Sequence, residues 1–109
     1  MKTSPWGRPD FEEKIAEGIT VCSTPSHGGY HLSPDRNAQV NEAWKQVGES
    51  FGWNRAEGWY EEDVDWAIVA ITFPECFPQE AGEEARNVLQ SYYPRQYREA
   101  TRKNVASSE

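Results

Sequence analysis

The apolar run at residues 66–73, WAIVAITF, constrains the fold of this sequence more than any other feature. A run of this length without a charge requires an element that is buried on most of its sides. Acidic residues directly precede it, and carboxylates in a first turn favour a helix N-terminus through the helix dipole. We therefore predict a helix over residues 59–73 at the centre of the core. Run length alone leaves open a central strand over residues 67–73.

The length of the chain supports one domain around this segment. A chain of 109 residues builds one hydrophobic core and leaves no room for a second catalytic domain. We expect a single domain over residues 1–109, with an N-terminal arm at 1–10 that Trp6 anchors on the core. Residues 104–109 are expected to be a frayed tail.

Composition also indicates the compartment. The mean hydropathy is -0.88, and the start MKTSPWGRPD lacks the apolar run of a secretory signal. No apolar stretch approaches the ~18 residues of a membrane span, so we expect a soluble, cytoplasmic protein. In that compartment Cys22 and Cys76 are expected to be reduced thiols, with a disulfide between them as the less favoured alternative.

A β-hairpin is predicted over residues 18–33. Its strands are the β-branched run 18–23, GITVCS, and the short run 30–32. The connection contains Gly28 and Gly29, which we expect to permit a turn with positive φ. A two-stranded piece of this size is stable only when it packs on helices.

Helix signals follow the hairpin. Ser33 suits the cap of a helix that begins at Pro34, where the missing N–H of proline costs nothing. Apolar residues at helical spacing and flanking breakers predict further helices over residues 40–48, 79–93 and 95–104. Glycines predict a loop over residues 48–58. The expected fold is α+β, a small β-hairpin packed on three to four helices.

The net charge of -7 is distributed unevenly along the chain. The thirty residues between Arg55 and Arg86 contain nine acidic residues and no Lys or Arg. We call residues 57–84 the acidic segment. Residues 86–109 carry a local balance of +3. The acidic segment disfavours direct contact with nucleic acid and attracts a basic protein surface. Alternatively, the protein's own basic C-terminal helix neutralises it.

Signals for catalysis or metal binding are weak. Cys22, His27 and His31 have the spacing C-x4-H-x3-H, but the glycine pair between the histidines argues against the helix that would bring them together. Carboxylates such as those at residues 61–65 commonly cap helices, and no flanking motif identifies a nucleophile. We therefore expect no catalytic residue, no metal and no cofactor.

Two strings are similar to those of a small uncharacterised domain family. They are TPSHGGYHLS at residues 24–33 and WYEEDVDWA at residues 59–67. The family is associated with proteobacterial plasmids, integrative elements and phages, so the resemblance implies a mobile-element context and brings no known activity. It draws attention to motif positions His27, Gly28, Gly29, His31, Arg36, Glu61, Glu62 and Asp65.

We predict a non-enzymatic protein that binds a basic protein surface through the acidic segment. Small acidic proteins of mobile elements resemble host-defence inhibitors, including anti-CRISPR proteins. By that analogy the partner is a nucleic-acid-binding defence effector in the host bacterial cytoplasm. The predicted partner-binding residues are Glu57, Trp59, Tyr60, Glu61, Glu62, Asp65, Glu80, Glu83 and Glu84. Trp53 and Tyr93 are further candidate surface anchors because they flank loops or helix ends.

Two alternatives stay open. A small metal-dependent or hydrolytic enzyme would use His27, His31, Glu61 and Glu62. A purely structural interaction module would instead use the motif residues to tie the hairpin to the central helix. In that case His27 or Arg36 is hydrogen-bonded to Glu61, Glu62 or Asp65.

Overall fold

A computed structural model of the protein describes residues 4–45 and 52–107. In chain order its elements are β1 (Phe11–Ala16), β2 (Ile19–Ser23), β3 (Gly28–Leu32), α1 (Pro34–Asn37), a 3₁₀ turn (Glu42–Lys45), α2 (Gly52–Ala56), β4 (Trp59–Glu61), α3 (Trp66–Thr72), a second 3₁₀ turn (Pro74–Cys76), α4 (Gln79–Tyr92) and α5 (Pro94–Ser107). The predicted α+β class is confirmed, because one sheet packs against helices.

The four strands form one antiparallel sheet in the order β1-β2-β3-β4. Its centre is the β2–β3 hairpin expected from the sequence, with Ile19 opposite Leu32 and Ser23 opposite Gly28. Because side chains alternate between the two faces of a sheet, Ile19 and Leu32 share the face that packs on the helices. The opposite face carries Thr20 and His31, which are paired across the hairpin.

The two outer strands were not predicted. The β1 sequence, FEEKIA, is half charged and five of its six residues are exposed, so it carries little local strand signal. It is a strand because its backbone pairs with β2. β4 lies in the stretch that was assigned to a helix, and it pairs with β3 through Tyr60 opposite Tyr30.

The apolar run forms α3 at the centre of the core. Ala67, Ile68, Val69 and Ala70 are each at most 1% exposed. The core around them includes residues of the sheet and of α4: Ile19, Leu32, Tyr60, Ala85 and Leu89. The prediction of a helix is confirmed for this run and is wrong for residues 59–65, which form β4 and a turn.

The helix start at Ser33 is confirmed. The Ser33 hydroxyl accepts a hydrogen bond from the Arg36 N–H at 3.3 Å, and Pro34 occupies the first turn. The helix predicted over residues 40–48 is observed as a 3₁₀ turn from Glu42 to Lys45, and its last three residues, 46–48, lie outside the described residues.

The loop predicted over residues 48–58 contains a helix instead. Residues 52–56 form α2, which ends before Gly58, a glycine with a φ of 95°. Arg55 holds this helix in place, because its Nε donates to the carbonyl of Trp44 and its guanidinium pairs with Asp65. That long-range anchor overrides the local loop signal. The Trp53 side chain and residues 48–51 lie outside the described residues.

The last two helices lie where the sequence predicts them. α4 ends one residue before the expected boundary, and its Ala85 and Leu89 are fully buried. α5 runs to Ser107, three residues beyond the expected end, and residues 108–109 lie outside the described part. Among the described residues, no helix is long and apolar enough to cross a membrane.

Candidate functional site

The first string of the sequence, TPSH at residues 24–27, folds into a turn that fixes His27. The Thr24 hydroxyl donates to the carbonyl of His27 at 2.7 Å and accepts from the His27 N–H at 3.0 Å. The Thr24 N–H donates to the same carbonyl at 2.6 Å. A threonine hydroxyl that bonds to nearby backbone groups stabilises a turn. This turn places the His27 imidazole directly before β3.

The glycine pair after His27 permits a close approach of two chain segments. A Cβ at Gly29 would overlap the Tyr60 carbonyl and lie 2.5 Å from the Trp6 ring, and one at Gly28 would lie 3.0 Å from the Glu62 carboxylate. Neither glycine is among those with positive φ. The expectation of a positive-φ turn is therefore wrong. Both residues belong to β3, and glycine is required there because neighbouring atoms leave no room for a Cβ.

The second string begins with β4 and ends in a turn that the Glu61 carboxylate organises. Glu61 Oε1 accepts from the N–H groups of Val64 at 2.7 Å and Asp65 at 3.0 Å. Glu61 Oε2 accepts from the Asp63 N–H at 2.7 Å. Burial by itself raises the pKa of Glu61, but these three donors and His27 outweigh it, so the pKa lies below its usual value. Glu61 is therefore an anion at neutral pH.

The two strings meet at their charged ends. His27 Nε2 lies 3.3 Å from Glu61 Oε2, and His27 Nδ1 lies 4.0 Å from Glu62 Oε2. Asp63 completes the group, since one ligand atom from each of His27, Glu61 and Asp63 lies within 4.8 Å of the others. We call these three residues the junction. The structural alternative predicted a contact between these two residues as a tie from the hairpin to the central helix, but Glu61 lies in β4, so the contact joins the turn before β3 to the end of β4.

Aromatic rings cover the junction from the N-terminal arm. The Trp6 ring lies 5.5 Å from the His27 ring and 5.7 Å, edge-on, from Trp59. The His31 ring lies 4.3 Å from Trp59, so that imidazole packs beside the junction and is not part of the ligand group. Trp6, which was expected to anchor the arm on the core, packs against His27 and Trp59 at this site. Cys22 is buried in β2, and it and Cys76 are free thiols.

Asp65 has a different role from its neighbours. Both of its carboxylate oxygens accept from Arg55 Nη1, at 3.0 and 3.1 Å, and both side chains are 1% exposed. Burial raises the pKa of Asp65 to about 6, and Arg55 limits the rise. Arg55 was not among the predicted site residues, because nothing in the sequence distinguishes it except its place as the last cation before the acidic segment.

Two of the predicted partner-binding residues are excluded by this burial. Asp65 is enclosed with Arg55, and Tyr60 is 0% exposed, with its hydroxyl donating to Asn37 Oδ1 at 2.6 Å. A side chain enclosed in this way does not reach a partner surface. Arg36 was predicted to be hydrogen-bonded to Glu61, Glu62 or Asp65, but it contacts other groups. Its Nε donates to the Glu17 carbonyl at 2.8 Å, and its guanidinium lies 4.8 Å from the centroid of the Phe73 ring.

The remaining acids face solvent. Seven of the nine acidic residues in the acidic segment are exposed: Glu57, Glu62, Asp63, Glu75, Glu80, Glu83 and Glu84. A groove of about 840 Å³ runs between the second 3₁₀ turn and α4. Its lining combines acidic residues with apolar ones and one cation: Glu75, Glu80, Glu83, Pro74, Phe77 and Arg86. We call it the acidic groove.

Residues 1–109 match the family described as Domain of unknown function (DUF7007). The chain belongs to this family. The expected resemblance to an uncharacterised domain family is thereby confirmed. No curated protein and no solved structure matches the chain.

The DUF7007 domain separates the predicted site residues into distinct groups. Five of them lie in or beside the junction. His27 and Glu61 belong to it, and Gly28, Gly29 and Glu62 are next to it. Glu80 and Glu83 line the acidic groove, while Glu57 and Glu84 are exposed elsewhere. Trp59 is half-buried between Trp6 and His31, and Tyr93 is half-buried against Trp44 at 6.5 Å.

Proposed function

We propose that this DUF7007 domain is a non-enzymatic binding protein whose acidic groove docks onto a basic surface of a nucleic-acid-binding protein. The observation that carries the proposal is the lining of the groove, which combines the carboxylates of Glu75, Glu80 and Glu83 with the apolar residues Pro74 and Phe77. Carboxylates that face solvent attract a cationic partner, and the apolar residues supply surface that is buried from water when the partner binds.

The charge pattern supports this choice over neutralisation within the molecule. Glu75, Glu80 and Glu83 are exposed. In the basic C-terminal helix, Arg102 forms its ion pair with Glu99 on its own helix, at 3.1 Å. Arg86 also lines the acidic groove, against the three carboxylates of Glu75, Glu80 and Glu83. The groove therefore keeps a net negative charge, with which it would compete with the phosphates of a nucleic acid for the same basic partner.

The more specific form of the proposal is inhibition of a host defence complex such as CRISPR–Cas in the bacterial cytoplasm. Its support is the resemblance of residues 24–33 and 59–67 to mobile-element proteins, together with the acidic surface. An effector that holds nucleic acid in a basic channel offers the complementary charge.

The test compares two double charge reversals. Glu75→Lys with Glu83→Lys alters the acidic groove, whereas Asp10→Lys with Glu13→Lys makes the same change in net charge at exposed positions near β1. The measurement is phage plaquing efficiency on hosts that each carry one active CRISPR–Cas type, followed by binding to the purified effector at increasing salt.

We expect the wild-type chain and the Asp10/Glu13 variant to restore plaquing on one of these hosts, and the Glu75/Glu83 variant to lose that effect. Binding should weaken as salt rises. Equal activity of both variants, with both folded by circular dichroism, contradicts a role for the acidic groove. Failure of the wild-type chain on every host, together with no salt-dependent binding to any effector, contradicts the proposed function itself.

A further inference from the structure

We propose that His27, Glu61 and Asp63 bind one divalent transition-metal cation, with Zn²⁺ as the ion that fits the ligand set best. The three residues come from two regions that are distant in the chain: His27 precedes β3, Glu61 is the last residue of β4, and Asp63 lies in the turn that follows. Their ligand atoms lie within 4.8 Å of one another, a grouping that includes an imidazole as well as carboxylates. The leading expectation from the sequence was no metal, and the metal-dependent alternative shares only His27 and Glu61 with this ligand set. The proposal does not depend on the acidic groove.

The distance between His27 and Glu61 fits two ligands of one ion better than it fits a hydrogen bond. A charge-assisted bond from a nitrogen to a carboxylate is about 2.7–2.9 Å long. Ligand atoms that each lie about 2.0–2.1 Å from a tetrahedral Zn²⁺ are about 3.3 Å apart. His27 Nε2 and Glu61 Oε2 are separated by 3.3 Å.

Only one oxygen of the Glu61 carboxylate faces the histidine. Oε1 already accepts two backbone N–H groups, from Val64 and Asp65. Oε2 accepts one backbone N–H, from Asp63, and its other lone pair faces His27 Nε2, so a bound ion would take the place of a proton shared between these two atoms. The backbone donors hold the carboxylate in a fixed orientation, so binding an ion requires little ordering of this side chain.

Glu62 is placed to accept a hydrogen bond from the second ring nitrogen of His27. A metal-bound histidine usually donates its second ring N–H to a carboxylate, which fixes the tautomer and the ring orientation. His27 Nδ1 lies 4.0 Å from Glu62 Oε2, on the side of the ring away from Nε2. A small movement of the exposed Glu62 side chain forms this bond. Glu62 is thus a positioning residue, not a ligand.

The ligand chemistry selects the class of ion. One imidazole with two carboxylates suits Zn²⁺ and similar first-row cations, whereas Mg²⁺ and Ca²⁺ prefer sites built of oxygen atoms. Three protein ligands leave a fourth tetrahedral position, which a water can occupy because Asp63 is exposed. Binding would link the two regions and stabilise the folded chain.

The experiment uses tag-free, chelator-treated protein and titrates it with Zn²⁺ in a calorimeter, with Mg²⁺ as the comparison ion. We expect one equivalent of Zn²⁺ to bind and the melting temperature to rise, with no comparable effect of Mg²⁺. Co²⁺ used as a probe should give the intense visible bands of tetrahedral coordination.

The variants assign the ligands. His27→Ala and Asp63→Asn should each weaken Zn²⁺ binding on the order of a hundredfold, and Glu62→Gln about tenfold. Asp63 is exposed, so Asp63→Asn keeps the fold even where His27→Ala does not. Glu57→Gln removes an exposed acid outside the junction and should bind Zn²⁺ as the wild type does.

No Zn²⁺ binding by the folded wild-type protein overturns the proposal and leaves the His27–Glu61 contact as a simple hydrogen bond. Zn²⁺ binding that Asp63→Asn and His27→Ala leave unchanged also overturns it, because the ion then sits elsewhere. Equal stabilisation by Mg²⁺ and Zn²⁺ indicates screening of a general acidic surface and contradicts the assigned site.

Discussion

Two acidic regions of this domain use the same residue types for opposite purposes. At the end of β4 and in the turn after it, the carboxylates of Glu61 and Asp65 face inward and are matched with backbone N–H groups or with Arg55. On α4, Glu80 and Glu83 face outward along a groove. The difference shows that a run of negative charge in a sequence is not one surface, because each carboxylate takes the environment that its element provides.

The largest expected loss of stability comes from removing a carboxylate that faces inward. Asp65→Ala leaves the Arg55 guanidinium buried without its counter-charge, and breaking a buried pair in this way costs about 3–5 kcal/mol. Denaturant unfolding measures the change. Glu84→Ala on the outer face of α4 is the matched control and should remain within about 0.5 kcal/mol of the wild type. Similar values for the two variants would remove the distinction between the regions.

A pair of glycine substitutions tests the same contrast through the backbone. A Cβ at Gly29 overlaps the Tyr60 carbonyl, so Gly29→Ala should destabilise the protein by about 1–3 kcal/mol. Gly82 lies inside α4, where a Cβ would meet Arg86 Nη1 at an ordinary 3.5 Å. Gly82→Ala should therefore stabilise by about 0.5–1 kcal/mol. Thermal unfolding measures the melting temperature of both variants, which should fall for Gly29→Ala and rise for Gly82→Ala. A Gly29→Ala protein as stable as the wild type contradicts the close packing of β3 against β4.

Glu61→Gln tests the organisation of the turn, and its effect depends on pH. The amide accepts backbone N–H groups less strongly than the carboxylate, so we expect a loss of about 1–2 kcal/mol at neutral pH in the presence of a chelator. The folded pKa of Glu61 lies below the usual 4.5. The stabilising effect is therefore fully present above pH 4.5 and declines as pH falls through the folded pKa.

The measurement is the difference in unfolding free energy between wild type and Glu61→Gln at several pH values. The wild-type advantage should shrink towards acid, while other titrating groups cancel in the comparison. An advantage that is constant with pH contradicts the role of the ionised carboxylate.

The smallest effect concerns the two thiols. Burial is the main cause that raises the pKa of Cys22, so little of its thiolate forms at pH 8. Cys76 lies in the second 3₁₀ turn and is partly exposed. We expect Cys76 to react first with a thiol-specific reagent in the folded state and Cys22 to react only on unfolding. Mass spectrometry of the labelled peptides separates the two, and equal rates would contradict the burial of Cys22.

Much of the helical layer was predictable because its signals are local. The apolar run gave α3, helical spacing gave α4, and Ser33 with Pro34 gave the start of α1. The β2–β3 hairpin followed from its β-branched residues. Each of these depends on residues a few positions apart, where periodicity and capping act directly.

The candidate site was predictable only in part. His27, Glu61 and Glu62 were selected from the two strings, whereas Asp63 was considered only with the other acids of residues 61–65 and was not selected. His31 was selected instead. The choice between them depends on which side chains meet when β3 pairs with β4, with His31 opposite Trp59 and Gly29 opposite Glu61. Arg55 was missed for the same reason, since nothing near it in the chain shows that Asp65 will face it.

The sequence by itself determined the fold class, the buried central element and the location of the negative charge, because composition and short-range spacing carry that information. The tertiary structure alone decided which acids are enclosed, that residues 11–16 and 59–61 are strands, and that His27 lies against Glu61. These features require contacts between residues far apart in the chain, and such contacts stabilise a backbone conformation that local propensity does not favour.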